Sequence, residues 1–327
     1  MPEEALVIDF PNVFHRAFFA APPLTYKDPR NGEEKSTGAI LTAYRIIRRL
    51  CKSYPVPPIF TLEGGRKQSE PEIEEPEITI STDDDIPTKI VSFKRPIHKP
   101  QAGDSVRSAQ GPVQVRAGTE ERKDRRDIST EYKANRDRTR SGDFKYQWNA
   151  VVNMLATGNG TLWSVPGYEA DDLLASYAKD HDCFIFTNDQ DLNGALRPGV
   201  IIVKYGYKDL MEFGYDDFIE KYGFDPKYWK IYRALTGDAS DNIKGVPGWG
   251  PVNSAKAIIN YDGDPERMKQ EGYGKLYKTL RTEWSAFEES LALVQLRPDI
   301  IFDEKPQTLD WGTMETFLRA NYGFMQF

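Results

Sequence analysis

The sequence predicts an α/β fold: a mostly parallel sheet flanked by helices, followed by a smaller helix-rich module. Three observations carry this. Five short runs are almost continuously apolar, the pattern of strands covered on both faces. Between several of them lie stretches with apolar residues at helical spacing, and strands alternating with helices build parallel sheets. After about residue 206 the pattern becomes mainly helical.

The predicted strands are "ALVIDF" (5–10), "PPIFTLE" (57–63), "TLWSV" (161–165), "CFIFT" (183–187) and "VIIVKY" (200–205). The segment 37–54 places Ile40, Ala43, Tyr44, Ile47 and Leu50 on one stripe of a helix. Segments 144–157 and 170–180 have similar spacing. Residues 66–121 are rich in Pro, Ser, Thr and acids, and are expected to be disordered or to hold a small hairpin from "EITIST" and "KIVSF". The helical part begins with "YDDFIEKYG" and continues through "PKYWKIYRALTG", "PVNSAKAIINYD" and "KLYKTLRTEWSAFEESLALVQL". The expected division is therefore 1–206 and 207–327.

The composition, 39% hydrophobic and 28% charged, is that of a globular protein with enough apolar mass for a core. No apolar run is long enough to span a membrane, and the N-terminus lacks the order of a signal peptide. Two cysteines, Cys51 and Cys183, exclude a disulfide framework and a cysteine-rich zinc site. A cytoplasmic location is the expectation. The net charge of −7 argues against a polyanionic partner until its distribution is considered. Residues 70–85 hold eight acids and no base, whereas 122–140 carry Arg122, Lys123, Arg125, Arg126, Lys133, Arg136, Arg138 and Arg140.

Acids stand at the ends of four predicted strands. Asp9 ends the first, Glu63 the second and Asp189 the fourth, while Glu169, Asp171 and Asp172 follow the third across the Pro166–Gly167 turn. In a parallel sheet these ends share one edge, where such folds place their sites. "EADD" on its own also reads as an ordinary helix start, since acids suit the first turn. Four acidic ends together call for cations. "LTGDASDNI" adds Asp238 and Asp241, spaced to share a helical face. With no histidine or cysteine cluster, an all-oxygen site suits Mg²⁺ or Mn²⁺, and this many carboxylates suit two ions acting on a phosphodiester.

"GVPGWG", Gly245–Gly250, lies between helical segments, with a helix beginning near Pro251. Glycines let backbone amides approach a ligand closely, and free N–H groups at a helix start hold phosphate without reading bases. Lys256 adds a charge one turn into that helix. A plain glycine-rich connection is the competing reading.

Taken together, "VIDFPNVFHRAFFA", "EYKANRD" (131–137), "VPGYEADDLLA" (165–175), "FTNDQDL" (186–192), "LTGDASDNIKGVPGWG" (235–250) and "SLALVQLRPDI" (290–300) resemble the 5′-nuclease family. That family comprises bacteriophage 5′→3′ exonucleases, flap endonucleases and the 5′-nuclease domain of bacterial DNA polymerase I. The resemblance implies a PIN-like nuclease domain and a helix–three-turn–helix module that holds duplex DNA through backbone amides, with a potassium ion at the hairpin. It also implies a two-metal set of Asp9, Glu63, Glu169, Asp171, Asp172, Asp189, Asp191, Asp238 and Asp241, loaded with Mg²⁺ or, in its place, Mn²⁺. Asp9 and Asp171 lead the catalytic set. Lys133 and Arg136 contact the scissile phosphate from the base of an arch at about 130–146. Tyr132, Gly245, Val246, Gly248, Gly250 and Lys256 complete the implied DNA-contacting set, with Tyr132 stacking on a base or, preferably, packing the arch.

Three departures stand out. Glu63 replaces the family's usual aspartate, Trp249 replaces a small aliphatic residue, and the insert at 66–121 is long. The implied activity is freestanding, Mg²⁺-dependent cleavage of 5′ ends or flaps in DNA replication or repair, with RNA–DNA hybrids as further candidate substrates. A monomer working with a replicative polymerase or single-strand-binding protein is expected. The competing functions are a non-catalytic DNA-binding relative and a phosphatase for small phosphoesters.

Overall fold

The computed structural model describes residues 5–27, 32–64, 105–107, 112–115, 125–134, 142–206, 209–302 and 305–327. All five predicted strands are present: β1 (Ala5–Asp9), β2 (Pro58–Thr61), β3 (Thr161–Trp163), β4 (Cys183–Phe186) and β5 (Val200–Tyr205). A sixth, β6 (Leu210–Phe213), pairs antiparallel with β5 at the edge. It is only four residues long, with Met211 and Glu212 exposed, and so offers too short a run for a search for continuous apolar stretches. The sheet order is β6-β5-β4-β1-β2-β3, and every pair except β5–β6 is parallel. Successive strands run outward from β1 through β2 to β3, then return to its other side with β4. That reversal makes the crevice beside β1 the natural place for a site.

The first helix, α1 (Phe10–Ala20), starts at the last residue of the predicted strand. Asp9 cuts the strand short: its carboxylate caps the helix by accepting from the Asn12 N–H at 3.1 Å, and Pro11 presets the first turn. The three helices legible in the first half are α2 (Gly38–Ser53), α3 (Gly142–Thr157) and α4 (Ala170–Asp180). All five residues of the predicted α2 stripe are buried. The later part supplies α5 (Trp229–Thr236), α6 (Pro251–Asn260), α7 (Trp284–Val294) and α8 (Trp311–Tyr322), with shorter helical pieces between them.

Alternation along β1 sorts the core into two layers. Ala5 and Val7 face a cluster with Leu173 and Leu174 of α4, Leu235 of α5 and Phe287 of α7. Leu6 and Ile8 face the opposite cluster, with Val13 of α1, Ile47 of α2, Met154 of α3 and Leu318 of α8. The helix-rich part thus covers both faces of the sheet. β6 also lies past residue 206, so the sheet itself crosses the expected boundary.

Within the 66–121 stretch, residues 105–107 and 112–115 form a hairpin that Ile300–Phe302 extends to three antiparallel strands. The segments "EITIST" and "KIVSF" lie outside the described residues, as do residues 135–141 of the expected arch. Among the described residues no helix is long and apolar enough to cross a membrane.

Candidate metal centre and nucleic-acid interface

The crevice beside β1 collects carboxylates as their strand-end positions require. Asp9 is buried, and its second oxygen accepts from the Thr187 hydroxyl at 2.8 Å. Burial pushes its carboxyl up to about 6, against the Thr187 and Asn12 hydrogen bonds, and the charges of Asp189 and Glu63 add to the rise. Asp171, in the first turn of α4, is pushed well above the ordinary carboxylate range by burial and by Asp189 and Asp9. No ion pair neutralises Asp9 or Asp171 among the described residues. Their raised affinity for protons marks a place short of positive charge.

A second group adjoins the first. Carboxylate oxygens of Asp191, Asp238 and Asp241 all lie within 4.8 Å of one another. Burial pushes the Asp191 carboxyl up to about 7, with Asp189 adding to the rise and Arg233 opposing it. Asp238 and Asp241 do not share a helical face, as their spacing predicted. Asp238 pairs with Ile243 at the end of a two-residue ladder, and Asp241 lies in the tight turn that joins Gly237–Asp238 to Ile243–Lys244. Asp189 and Asp238 both line a cleft of about 320 Å³ that also takes in Asn12, Asn188 and Arg233. Crowded, partly desolvated carboxylates with oxygen donors alone fit a hard divalent cation.

Two basic residues of the predicted stripe face inward, toward the carboxylates. Arg125, buried, donates to Glu169 at 2.6 Å, to Asp172 at 2.8 Å and to the Gln295 carbonyl at 3.0 Å. Lys133 donates to Glu169 at 2.9 Å and lies 3.7 Å from Asp241. Its backbone is left-handed (φ 54°), a conformation rare outside glycine, and its N–H is tied to the Asp241 carbonyl at 2.9 Å. Burial opposes the Lys133 charge, but Glu169 and Asp241 hold it protonated, above lysine's ordinary value. Burial likewise works against the Glu169 charge, yet Arg125 and Lys133 hold that carboxyl down at about 2.

Asp172 requires a correction. It was expected among the metal ligands, but its carboxylate is fully enclosed and its oxygens are taken. One accepts from Arg125 and from the Arg297 N–H at 3.0 Å, while the other accepts from the Glu169 N–H at 3.2 Å to close the capping box of α4. A ligand atom would have to break those bonds first. The Tyr132 ring is buried and its hydroxyl donates to Glu169 at 3.3 Å, an arrangement that suits the preferred packing role rather than base stacking. Glu63 stays exposed at the end of β2, close enough to raise the Asp9 carboxyl. Arg136 lies outside the described residues.

The hairpin divides in two. Val246 is buried and its N–H is spent on the Leu235 carbonyl at 2.8 Å, so it serves the core rather than a ligand. Trp249 also turns inward, donating to the Leu276 carbonyl at 3.2 Å and meeting Tyr277 edge-on. Gly245 is needed for contact: a Cβ there would lie 2.4 Å from the Thr236 carbonyl carbon. Gly248, at φ 86°, Gly250 and Lys256 remain exposed around the start of α6, with the Asn253 amide holding the Gly248 carbonyl at 2.9 Å.

Sequence reasoning passed over Arg233 and the inward role of Arg125. Arg233 donates to Asp191 at 2.9 Å and to Asp238 by a close contact. Its one signal is position: an arginine on a helix otherwise dominated by large apolar residues, five residues before Asp238.

A family model for the 5′-3′ exonuclease N-terminal resolvase-like domain matches residues 101–223. DNA polymerase I of Mycobacterium tuberculosis is 31% identical over 188 residues, which is 55% of this chain and 21% of that one. The thermostable DNA polymerase I of Thermus thermophilus is 35% identical over 191 residues, 57% and 22% of the two chains. The chain thus spans about a fifth of the length of these polymerases. Among solved structures, the bacteriophage T5 flap endonuclease, in a pseudo-enzyme–product complex with DNA and metal ions, superposes with a TM-score of 0.56. It is 18% identical over 90% of this chain and 89% of its own. The catalytic core of Rad2 in complex with DNA substrate gives 0.52 at 17% identity, covering 99% and 88%. Sequence motifs, polymerase relatives and fold thus agree in a likeness to the 5′-nuclease family.

Proposed function

We propose that this chain is a structure-specific 5′ nuclease that hydrolyses phosphodiester bonds at 5′ ends or 5′ flaps of DNA in replication or repair, with Mg²⁺ as its ion. The observation that carries the reading is the rim of carboxylates beside β1, part of which has no cation paired to it among the described residues. Asp9, Glu63, Asp171 and Asp189 would hold one ion, and Asp191, Asp238 and Asp241 a second. Ions so held activate water and offset the charge of a scissile phosphate.

The chain's own residues do the rest. Thr187 and the Asn12 N–H fix both oxygens of Asp9, so its lone pairs keep one orientation. Arg125 and Lys133 hold Glu169 ionised at the edge of the rim. Lys133 bridges the Glu169 and Asp241 sides, and with Arg136 is the proposed contact to the scissile phosphate. Gly248, Gly250 and Lys256 at the start of α6 are the proposed contacts to the duplex backbone, which carries charge without sequence. The T5 and Rad2 structures are complexes with DNA, which supports the substrate class.

The test is cleavage of an end-labelled 5′-flap duplex with and without Mg²⁺. Cleavage near the junction that needs the ion supports the reading, and an intact flap under both conditions removes it. Nicked and RNA–DNA substrates in parallel separate exonuclease, flap and primer-removing preferences by product length.

A further inference from the structure

The two carboxylate groups differ in what neutralises them. Asp9 and Asp171 have no ion pair among the described residues, whereas Asp191 and Asp238 share one guanidinium. Arg233 donates through Nε to Asp191 and through Nη2 to Asp238, and all three side chains are about 10–14% exposed. It reaches both because it sits in the last turn of α5, which ends at Gly237 directly before Asp238. Lys133 is spent elsewhere, on Glu169 at 2.9 Å, and lies farther, at 3.7 Å, from Asp241.

We infer that Arg233 is a tethered cation at the Asp191–Asp238–Asp241 group, one that a divalent ion must displace from the Asp191 and Asp238 oxygens in order to bind there. The inference rests on the metal reading proposed above. Electrostatics supports it. The Arg233 guanidinium lies against two of the three carboxylates, so its positive charge repels a doubly charged ion that enters the same partly desolvated place, and its departure removes that repulsion. Geometry agrees, because the oxygens that bind Arg233 belong to two of the three residues whose carboxylates converge within 4.8 Å. The other Asp238 oxygen already accepts from the Ser240 N–H at 2.8 Å and hydroxyl at 2.6 Å, so the oxygen nearer to being open to an ion is the one that Arg233 holds. Arg233 thus keeps the group folded without an ion and weakens its hold on one.

Mn²⁺ titration of the full chain by calorimetry, without DNA, tests this in wild type, Arg233→Met, Arg233→Lys and Asp238→Asn. The binding phase lost in Asp238→Asn identifies this group. In Arg233→Met that phase should tighten by about tenfold or more, while in Arg233→Lys, which keeps the charge, it should tighten less. The melting temperature of Arg233→Met should fall below wild type in chelator, and saturating Mn²⁺ should close the gap. Should the methionine variant not fold in chelator, the lysine variant carries the comparison with the same sign. An unchanged or weaker phase in both Arg233 variants, with wild type binding Mn²⁺, overturns the inference and leaves the metal reading standing. A wild-type chain that takes up no Mn²⁺ overturns both.

Discussion

Asp171 and Asp172 adjoin in the sequence and have opposite physics. Asp172 is enclosed with Arg125 against it and backbone N–H groups on both oxygens. Asp171, one helical step away, faces Asp9 and Asp189 with no cation paired to it among the described residues. A helix turns by about 100° per residue, enough to carry one carboxylate into the core and leave its neighbour on the rim. Proximity in sequence therefore says little about role. What separates a structural acid from a candidate ligand is whether the fold already supplies its positive charge.

Neutralising each residue in turn is the sharpest way to break this comparison. Asp171→Asn removes a charge the folded protein does not balance, so cleavage of a 5′ flap should fall by about 10²–10³-fold or more. Thermal stability in chelator should hold or rise. Asp172→Ala should do the reverse, leaving Arg125 buried with one carboxylate fewer. The loss should be about 3–5 kcal/mol of stability, seen as a lower denaturant midpoint. If Asp171→Asn unfolds the protein while Asp172→Ala spares it, the assignment of roles is inverted.

A pH series sharpens the same contrast. Asp9 and Asp191, at about 6 and about 7, hold protons more tightly folded than unfolded. Their contribution to stability is complete below about pH 4 and is lost as pH rises through 6 to 7. Glu169, held at about 2, has the opposite sign and loses its contribution only in strong acid, outside this window. The metal-free chain should therefore lose stability between pH 5 and 8, and the rise in melting temperature on adding Mg²⁺ should grow over that range. Calorimetry in two buffers of different ionisation enthalpy should show protons released on binding. A Mg²⁺ effect that is flat with pH would mean the raised carboxyls are not the ones that bind.

The contrast also explains how much was legible beforehand. Strand ends are readable because continuous apolar runs stop at an acid, and Asp9, Glu63 and Asp189 all fall where a parallel sheet gathers them. β6 was hidden because four residues, two of them exposed, make too short an apolar run. Asp238 and Asp241 were recognised, but their spacing pointed to a helix when a short ladder and its turn hold them. Which acids are already neutralised was not readable at all. Arg125 reaches Asp172 across 47 positions and Arg233 reaches Asp191 across 42, distances that no local pattern spans. Val246 and Trp249 were invisible for a related reason: a glycine-rich loop reads as exposed, and only packing shows which of its residues turn inward.

The cations divide in the same manner as the acids, and the smallest predicted effect comes from that division. Arg125 and Lys133 belong to a basic stripe that looks made for phosphate, yet the protein's own carboxylates occupy both. Lys256 is exposed beside the start of α6, with no ion pair among the described residues. A cation held by no carboxylate costs little to turn toward a phosphate. Lys256→Ala should therefore lower affinity for duplex DNA by only a few-fold, equally across sequences, and reduce the slope of log affinity against log salt by about 1. Folding stability should stay within about 0.5 kcal/mol of wild type, because the side chain supports nothing inside. A changed sequence preference, or an unchanged salt slope, would mean that Lys256 does not meet a phosphate and that the duplex is held elsewhere.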